Sequence, residues 1–491
     1  MMKMIKKILV LATLVFAVTS CDLDEYPQSS FNEERIDWTS VAQYSKLRTG
    51  VYGLYKGLNG GSYTTTSDLQ SDLFNATTNF GNAGGDLHRW DFTSSQFEIE
   101  KIWKFNYKLI GNINVVLNNI EKAEPVTENE VVFIQNMEGE LHLLRAIAYH
   151  TLALRFAKDY NKATADKDLG LPLVQVFDES LKPSRGTVAE TYLLIEQDIA
   201  KAQELIKAPA KSDVDYLTQG VVHAFAARVA LSMQAYEEAI AYAQKVVDAY
   251  PLVEAASFQA MWSEDSSSEI IFKNFASADE APNSFSLYLA YQSNTKRYNP
   301  SFVPTQYVVD LYEENDVRKD VFLRKEPIQA GDIKVDDVYM LSKYPGNTSL
   351  ETSKYQYRNM YKPFRVAEQY LILAEAYYQL KDEQKAVEWL NKLREARGAA
   401  AIKVKGEALF TAIQDEWVRE FVGEGMRLDQ LKRWGVEMNR KANKPQNSQI
   451  LESGSTYTDL VIPAGHYKFV WEVPFHDIDS NSNIELNWDL K

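Results

Sequence analysis

The chain has 491 residues, 45% hydrophobic and 12% aromatic, enough to close one large helical assembly or two to three domain-sized cores. Its 68 acidic residues outnumber 53 basic ones, for a formal charge of −15, which argues against the clustered Lys and Arg that nucleic-acid phosphates require. A single cysteine, Cys21, excludes a disulfide framework and leaves stability to core burial.

The opening MMKMIKKILVLATLVFAVTS has Lys3, Lys6 and Lys7, then an apolar run from Ile8 to Val18, then Thr19 and Ser20. That run is too short for a permanent anchor and fits an export signal. Cys21 follows Val-Thr-Ser directly, the position at which a bacterial lipoprotein signal needs a sulfur to carry its lipid. Cys21 is therefore the expected lipidation site. A diacylglycerol plus an amine-linked acyl chain meets the two-signal requirement for stable anchoring. Loss of residues 1–20 removes three lysines and takes the formal charge to −18. The acidic DLDEYPQSSFNEE then reads as a tether.

From Ser40 the pattern turns helical, with Val41, Tyr44, Leu47, Val51, Leu54 and Leu58 at three- and four-residue steps. Residues 59–95 are rich in Gly, Ser, Thr and Asn, yet carry Tyr63, Phe74, Phe80 and Trp90. A long insert of this kind is expected to be functional. Helical patterning resumes at Ile102 and continues, with breaks, to Pro251. Ala227 and Ala230, then Ala239, Ala243 and Val246, repeat the offsets of Ala374 and Tyr377, then Ala386, Leu390 and Leu393. Small residues at those steps let paired helices approach closely, as in tetratricopeptide-type repeats of about 34 residues. The predicted fold is mostly α: a tetratricopeptide-like helix-pair scaffold with a loop-rich ligand-facing region.

Between the two copies, residues 252–361 hold Trp262, Tyr288, Tyr291 and Tyr298 in a stretch with few periodic runs. Aromatic and polar side chains on loops suit sugars, whose C–H faces stack on rings while their hydroxyls seek polar partners. The histidines at 88, 142, 150, 223, 466 and 476 form no ligand spacing, no phosphate loop or nucleophile elbow occurs, and no cofactor is expected. The expected organisation is a lipoprotein signal peptide over 1–20, a lipidated tether over 21–39 and a single body over 40–491. Within the body, scaffold occupies about 40–58, 102–251 and 362–440, and ligand-facing regions about 59–101 and 252–361, before a closing segment over 441–491.

Several segments resemble the SusD/RagB family of nutrient-binding lipoproteins. They are LHLLRAIAYHTLALRFAKDY followed by GLPLV, RGTVAETYLLIEQDIAKAQELI, NKLREARG and FVWEVPFHDIDSNSNIELN with Pro474, Ile478 and Asn483. The block EWVREFVGEGMRLDQLKRWG adds Glu420, Phe421, Glu424, Gly425, Arg427, Leu431, Arg433, Trp434 and Gly435. Gln430 stands where the family usually has Asp, with Asp429 one position earlier, and Gly423 replaces an aromatic residue. Glu424 and Arg427, three apart, are expected to pair on one helical face.

The resemblance implies a non-enzymatic, lipid-anchored protein at the outer-membrane surface. It would capture glycan and pass it to a SusC-like TonB-dependent transporter, acting as its lid. HRWDFT is similar to the family's early aromatic segment, which makes Trp90 the first stacking candidate, with Thr93 and Asp72 as polar neighbours. Tyr291 and Tyr298 come second, and Phe80, Trp262 and Tyr288 complete the ligand-binding set. Peptide capture on the same fold, a glycoside hydrolase on helical pairs and a pure scaffolding repeat remain the alternative readings.

Overall fold

In the computed structural model residues 36–488 are described, apart from 60, 179, 283, 354 and 355. The export signal, Cys21 and nearly all of the tether lie outside the described residues.

Tyr44, Val51 and Tyr55 fall on one face of α1 (Val41–Asn59) and are each at most 3% exposed. The insert that follows is more ordered than its composition predicts, because its polar residues are spent on backbone geometry. It forms α2 (Ser62–Gln70), β1 (Phe74–Ala76) and α3 (Gly85–His88). Next come α4 (Phe97–Leu117) and α5 (Glu128–Phe156), a short antiparallel pair β2 (Leu169–Pro172) and β3 (Arg185–Thr187), and α6 (Val188–Leu205). Thr127 and Thr187 close reciprocal capping boxes with Glu130 and Glu190, which fixes where α5 and α6 begin. Gly139 lets these two elements approach: a Cβ there would lie 2.7 Å from Ile206 Cγ1.

The two helix pairs with matching offsets are α7 (Gln219–Ser232) with α8 (Tyr236–Ala249), and α12 (Val366–Gln379) with α13 (Glu383–Ala396). Far apart in sequence, they are neighbours in space. Ala227, Ala230, Ala239 and Ala243 share one buried cluster with Leu371, Ala374, Ala386, Leu390 and Leu393. The small residues therefore serve the approach of α8 to α12 as well as the closeness within each pair.

The intervening region folds as short strands and turns. It contains α9 (Ala260–Ser263), β4 (Ile270–Phe272), β5 (Tyr291–Gln292), β6 (Arg297–Tyr298) and β7 (Phe302–Pro304). α10 (Gln306–Asp310), α11 (Val317–Phe322), β8 (Leu323–Ala330), β9 (Ile333–Leu341) and β10 (Phe364–Arg365) follow. β5, β6, β8 and β9 form a four-stranded sheet in that order. β1 pairs antiparallel with β7, so that Asn75 faces Val303, and this ladder carries the early insert to the mid-chain region. The two loop-rich stretches are thus joined by backbone hydrogen bonds. α14 (Glu407–Phe421) and α15 (Arg427–Trp434) complete the scaffold, and β11 (Met438–Asn439), β12 (Val461–Ile462) and α16 (Phe475–Ser480) form the closing segment. Trp471, fully buried, seals that segment onto α5, its backbone N donating to Arg155 O at 2.7 Å.

Candidate functional site

Two tyrosines of the mid-chain region that reach solvent, Tyr291 and Tyr298, meet on the four-stranded sheet. Tyr291 and Tyr298 are register partners across β5 and β6, which puts both rings on one face, 5.0 Å apart and tilted by 58°. Tyr298 also pairs with Ile328 of β8, which ties the small hairpin to the longer one. The Arg324 guanidinium lies 5.2 Å from the centre of the Tyr298 ring, and its Nη2 donates to the Tyr298 hydroxyl at 2.5 Å. Glu326 holds the same guanidinium in an ion pair. Tyr357 stands beside them with a left-handed φ of 59° and its backbone N donating to Glu351 Oε1 at 3.0 Å. Backbone strain of that kind in a bulky residue persists where surrounding contacts hold it.

Desolvation raises the Tyr298 and Tyr357 hydroxyls above the ordinary tyrosine range, so both remain neutral donors at physiological pH. From the early insert, Asn79 clasps the β8–β9 turn: its Nδ2 donates to Gln329 O at 2.5 Å and its Oδ1 accepts from Gly331 N at 3.0 Å. Gln292 Nε2 donates to Asn299 Oδ1 at 3.0 Å across the hairpin. The result is an aromatic platform flanked by the Arg324–Glu326 ion pair and by the Gln292 and Asn299 amides, suited to stacking against a ring and bonding its hydroxyls. Among the described residues no group of three or more His, Cys, Asp or Glu could hold a metal ion, and no helix is long and apolar enough to cross a membrane.

The expected set divides sharply. Tyr291 is 41% exposed and Tyr298 half-buried, so both present ring surface. Thr93 is exposed elsewhere, on the loop whose Ser94 O accepts from Phe475 N of the closing segment. Trp90 is corrected to a core residue. It is 5% exposed, its Nε1 donates to Gln70 O at 2.8 Å and its ring meets Phe469 edge-on at 4.8 Å. Phe80 is buried between Phe302 and Tyr457, and Tyr288 is buried against Phe74. Trp262 is buried against Phe322 and Tyr344, with the Lys343 ammonium 4.6 Å from its ring centre.

Asp72 is also buried, its carboxylate taken by Arg427 at 2.9 and 3.1 Å. Trp90 belongs to the main core and Phe80, Tyr288 and Trp262 to a second buried cluster, and in this conformation none of the five side chains offers a face to a ligand. Tyr357, Arg324, Glu326 and Asn79 went unforeseen. The Tyr-x-Tyr spacing of residues 355–357 was the available signal for the first.

A family model described as the SusD family matches residues 323–488, and one described as starch-binding associating with outer membrane matches residues 23–231. Together they span most of the chain. The chain belongs to the SusD/RagB family. It is 23% identical to SusD-like protein P25 of Formosa agariphila, over 88% of this chain and 90% of that one. Its fold is similar to that of a SusD superfamily protein from Bacteroides thetaiotaomicron, with a TM-score of 0.78 and 20% identity over 92% of this chain and 100% of the other. A laminarin-binding SusD-like protein gives a TM-score of 0.68 at 19% identity, over 91% of this chain and 98% of its own.

In this SusD-like chain the block over 416–435 is a buried junction between scaffold and loop-rich region. Glu420, fully buried, accepts from Arg318 Nη1 at 3.1 Å, Arg365 Nη1 at 2.7 Å and Arg397 Nε at 3.1 Å. Those arginines come from α11, β10 and the end of α13, so one carboxylate gathers three separate parts of the chain. Although burial opposes the charge, Arg397, Arg365 and Arg318 outweigh it and hold the carboxyl far below its ordinary range. The expected pairing of Glu424 with Arg427 does not occur. Gly423 and Gly425 adopt φ of +79° and +75°, α14 ends at Phe421, and the two side chains leave in different directions. Glu424 pairs with Arg365 and Lys343, and Arg427 with Asp72. Gly425 is needed for a second reason, since a Cβ there would lie 2.7 Å from Thr64 Cα.

Proposed function

We propose that this SusD/RagB protein is a cell-surface glycan-binding lipoprotein, held at the outer membrane through a lipid on Cys21. It captures oligosaccharide and hands it to a SusC-like TonB-dependent transporter, over which it closes as a lid. The observation that carries the reading is the Tyr291–Tyr298 platform with Arg324 held against Tyr298. The outer-membrane and starch-binding description of the family model supports it, as does the laminarin-binding relative in fold. The platform binds and does not turn over its ligand. It presents hydrogen-bond donors and ring faces, and its rim carboxylate Glu326 is engaged by Arg324.

Each stacked ring contributes about 0.5–1.5 kcal/mol beyond area burial, which gives affinities weak enough for release to a transporter. Calorimetry of the purified protein against a panel of glycans, laminarin and starch included, and of peptides tests this directly. Saturable glycan heats should weaken about threefold to tenfold in Tyr298→Ala. Peptide-only heats, or glycan affinity indifferent to Tyr298, would replace the reading.

A further inference from the structure

A second concavity lies away from the tyrosine platform, where α1, α5, α7 and α15 meet. Its volume is about 110 Å³, and none of its lining comes from β5, β6, β8 or β9. Tyr55, Tyr63, Phe225, Tyr361 and Trp417 supply aromatic wall, with Leu154, Leu231 and Met426 between them.

The charges at the wall are already satisfied. Arg228 is bidentate to Glu368 at 2.6 and 2.7 Å, Asp429 is paired with Arg155, and Arg433 is paired with Glu375. Glu424 is held by Arg365 and Lys343. An ion entering the cavity would therefore meet no free counter-charge. The uncommitted polarity is neutral. His150, 3% exposed, bonds Ser232 Oγ through Nε2 at 3.2 Å. Burial pushes its pKa down to about 3, so the ring is uncharged at physiological pH. Gln430, 6% exposed, lines the space, and among the described residues its side-chain amide makes no hydrogen bond.

We propose that this cavity binds a small neutral ring compound of the phenol class, its apolar body on the aromatic wall and its hydroxyl on the Gln430 amide. Polarity selects this class, and a volume of about 110 Å³, below the roughly 150 Å³ of an apolar cavity that admits benzene, leaves room for no more than one small ring. A hexose carries hydroxyls around its whole rim, and most would be left unpaired against Phe225, Leu231 and Trp417. Water alone would satisfy Gln430 but would leave the aromatic wall wet.

Phenol titrated into the full-length protein, by calorimetry and thermal shift with glucose as control, tests the assignment. Saturable phenol heats are expected, with no glucose heat sensitive to Gln430. Gln430→Leu should weaken phenol about fivefold. Leu154→Trp, which puts a larger side chain on the cavity wall, should abolish binding, and Tyr298→Ala should leave it unchanged. Should Leu154→Trp fail to fold, Gln430→Leu carries the test. A protein silent to phenol, a phenol response untouched by the cavity variants, or glucose binding that depends on Gln430 would each overturn the proposal.

Discussion

Two regions of this molecule use the same kind of interaction, the arginine–carboxylate ion pair, to different ends. At the scaffold junction Glu416, Glu420, Arg318, Arg365 and Arg397 have fully buried side chains. On the hairpin sheet, Arg297 meets Asp336 at 2.9 Å with 73% of the Asp336 side chain exposed, and Arg324 meets Glu326 with 42% of the arginine side chain exposed. Exposed pairs contribute about 0–1 kcal/mol, whereas removing one member of a buried pair costs about 3–5 kcal/mol because the other charge is stranded. Charge in the junction therefore fixes how loops sit on helices. Charge on the sheet orients a ring.

The most severe way to break that contrast is Glu420→Gln. It leaves the buried cluster one carboxylate short, with Arg318 kept by Asp316 and Glu416, Arg365 by Glu424 and Arg397 by Glu269, and the expected loss is about 3–5 kcal/mol or failure to fold. Urea denaturation followed by circular dichroism measures it. A loss below about 1 kcal/mol would mean that the junction behaves like the surface.

Trp90→Ala comes next, at about 3–4 kcal/mol, since a buried ring with a bonded indole N–H leaves both a cavity and an orphaned carbonyl at Gln70. Glycan affinity of the folded fraction should not change. Weakened binding at unaltered stability would return Trp90 to the ligand face.

These two residues also mark what could be read from the chain. The helix pairs were legible because close packing demands Ala at fixed steps, and Ala227, Ala230, Ala374 and Ala386 stand at those steps. Trp90 was misplaced because a loop aromatic in the sequence looks the same whether it lids a core or faces solvent, and only tertiary contact with Phe469 decides. The Glu420 network was invisible for a related reason. Its partners lie 55, 102 and 23 residues away, joined by topology and not by period. The Tyr291–Tyr298 pair was half legible: the residues were named, while their register and Arg324 awaited the sheet.

Acid sharpens the contrast inside the scaffold. Burial beside Arg228 drops the His150 pKa from 6.5 to about 3, so the unfolded chain takes up a proton that the folded chain refuses. The contribution is complete above pH 6.5 and declines as pH falls toward 3, by up to about 1.4 kcal/mol per pH unit. Glu416 titrates lower. Burial opposes its charge, yet Arg318, Arg419 and Arg394 hold its pKa from 4.5 down to about 2, so its share is present above 4.5 and lost as pH falls through 2. Between pH 6.5 and 4.5 the histidines act first. His88, buried and also shifted down, adds to the same window. Urea midpoints at pH 7, 6 and 5 should show a shallower decline in His150→Asn than in the wild type, and equal slopes would contradict the burial argument.

The smallest stability effect and a clear binding effect should coincide in Tyr291→Ala. The ring is 41% exposed and its chief neighbour is Tyr298, so truncation removes little buried area and should change stability by no more than about 0.5 kcal/mol. Loss of one stacking surface should weaken glycan about threefold to tenfold. Tyr291→Phe separates ring from hydroxyl and should retain most of the affinity, because the Arg324 bond goes to the hydroxyl of Tyr298 and not to that of Tyr291. If Tyr291→Ala unfolded the protein as readily as Glu420→Gln, the hairpin would be part of the scaffold's support and the division between a charge-locked frame and a replaceable binding surface would fail.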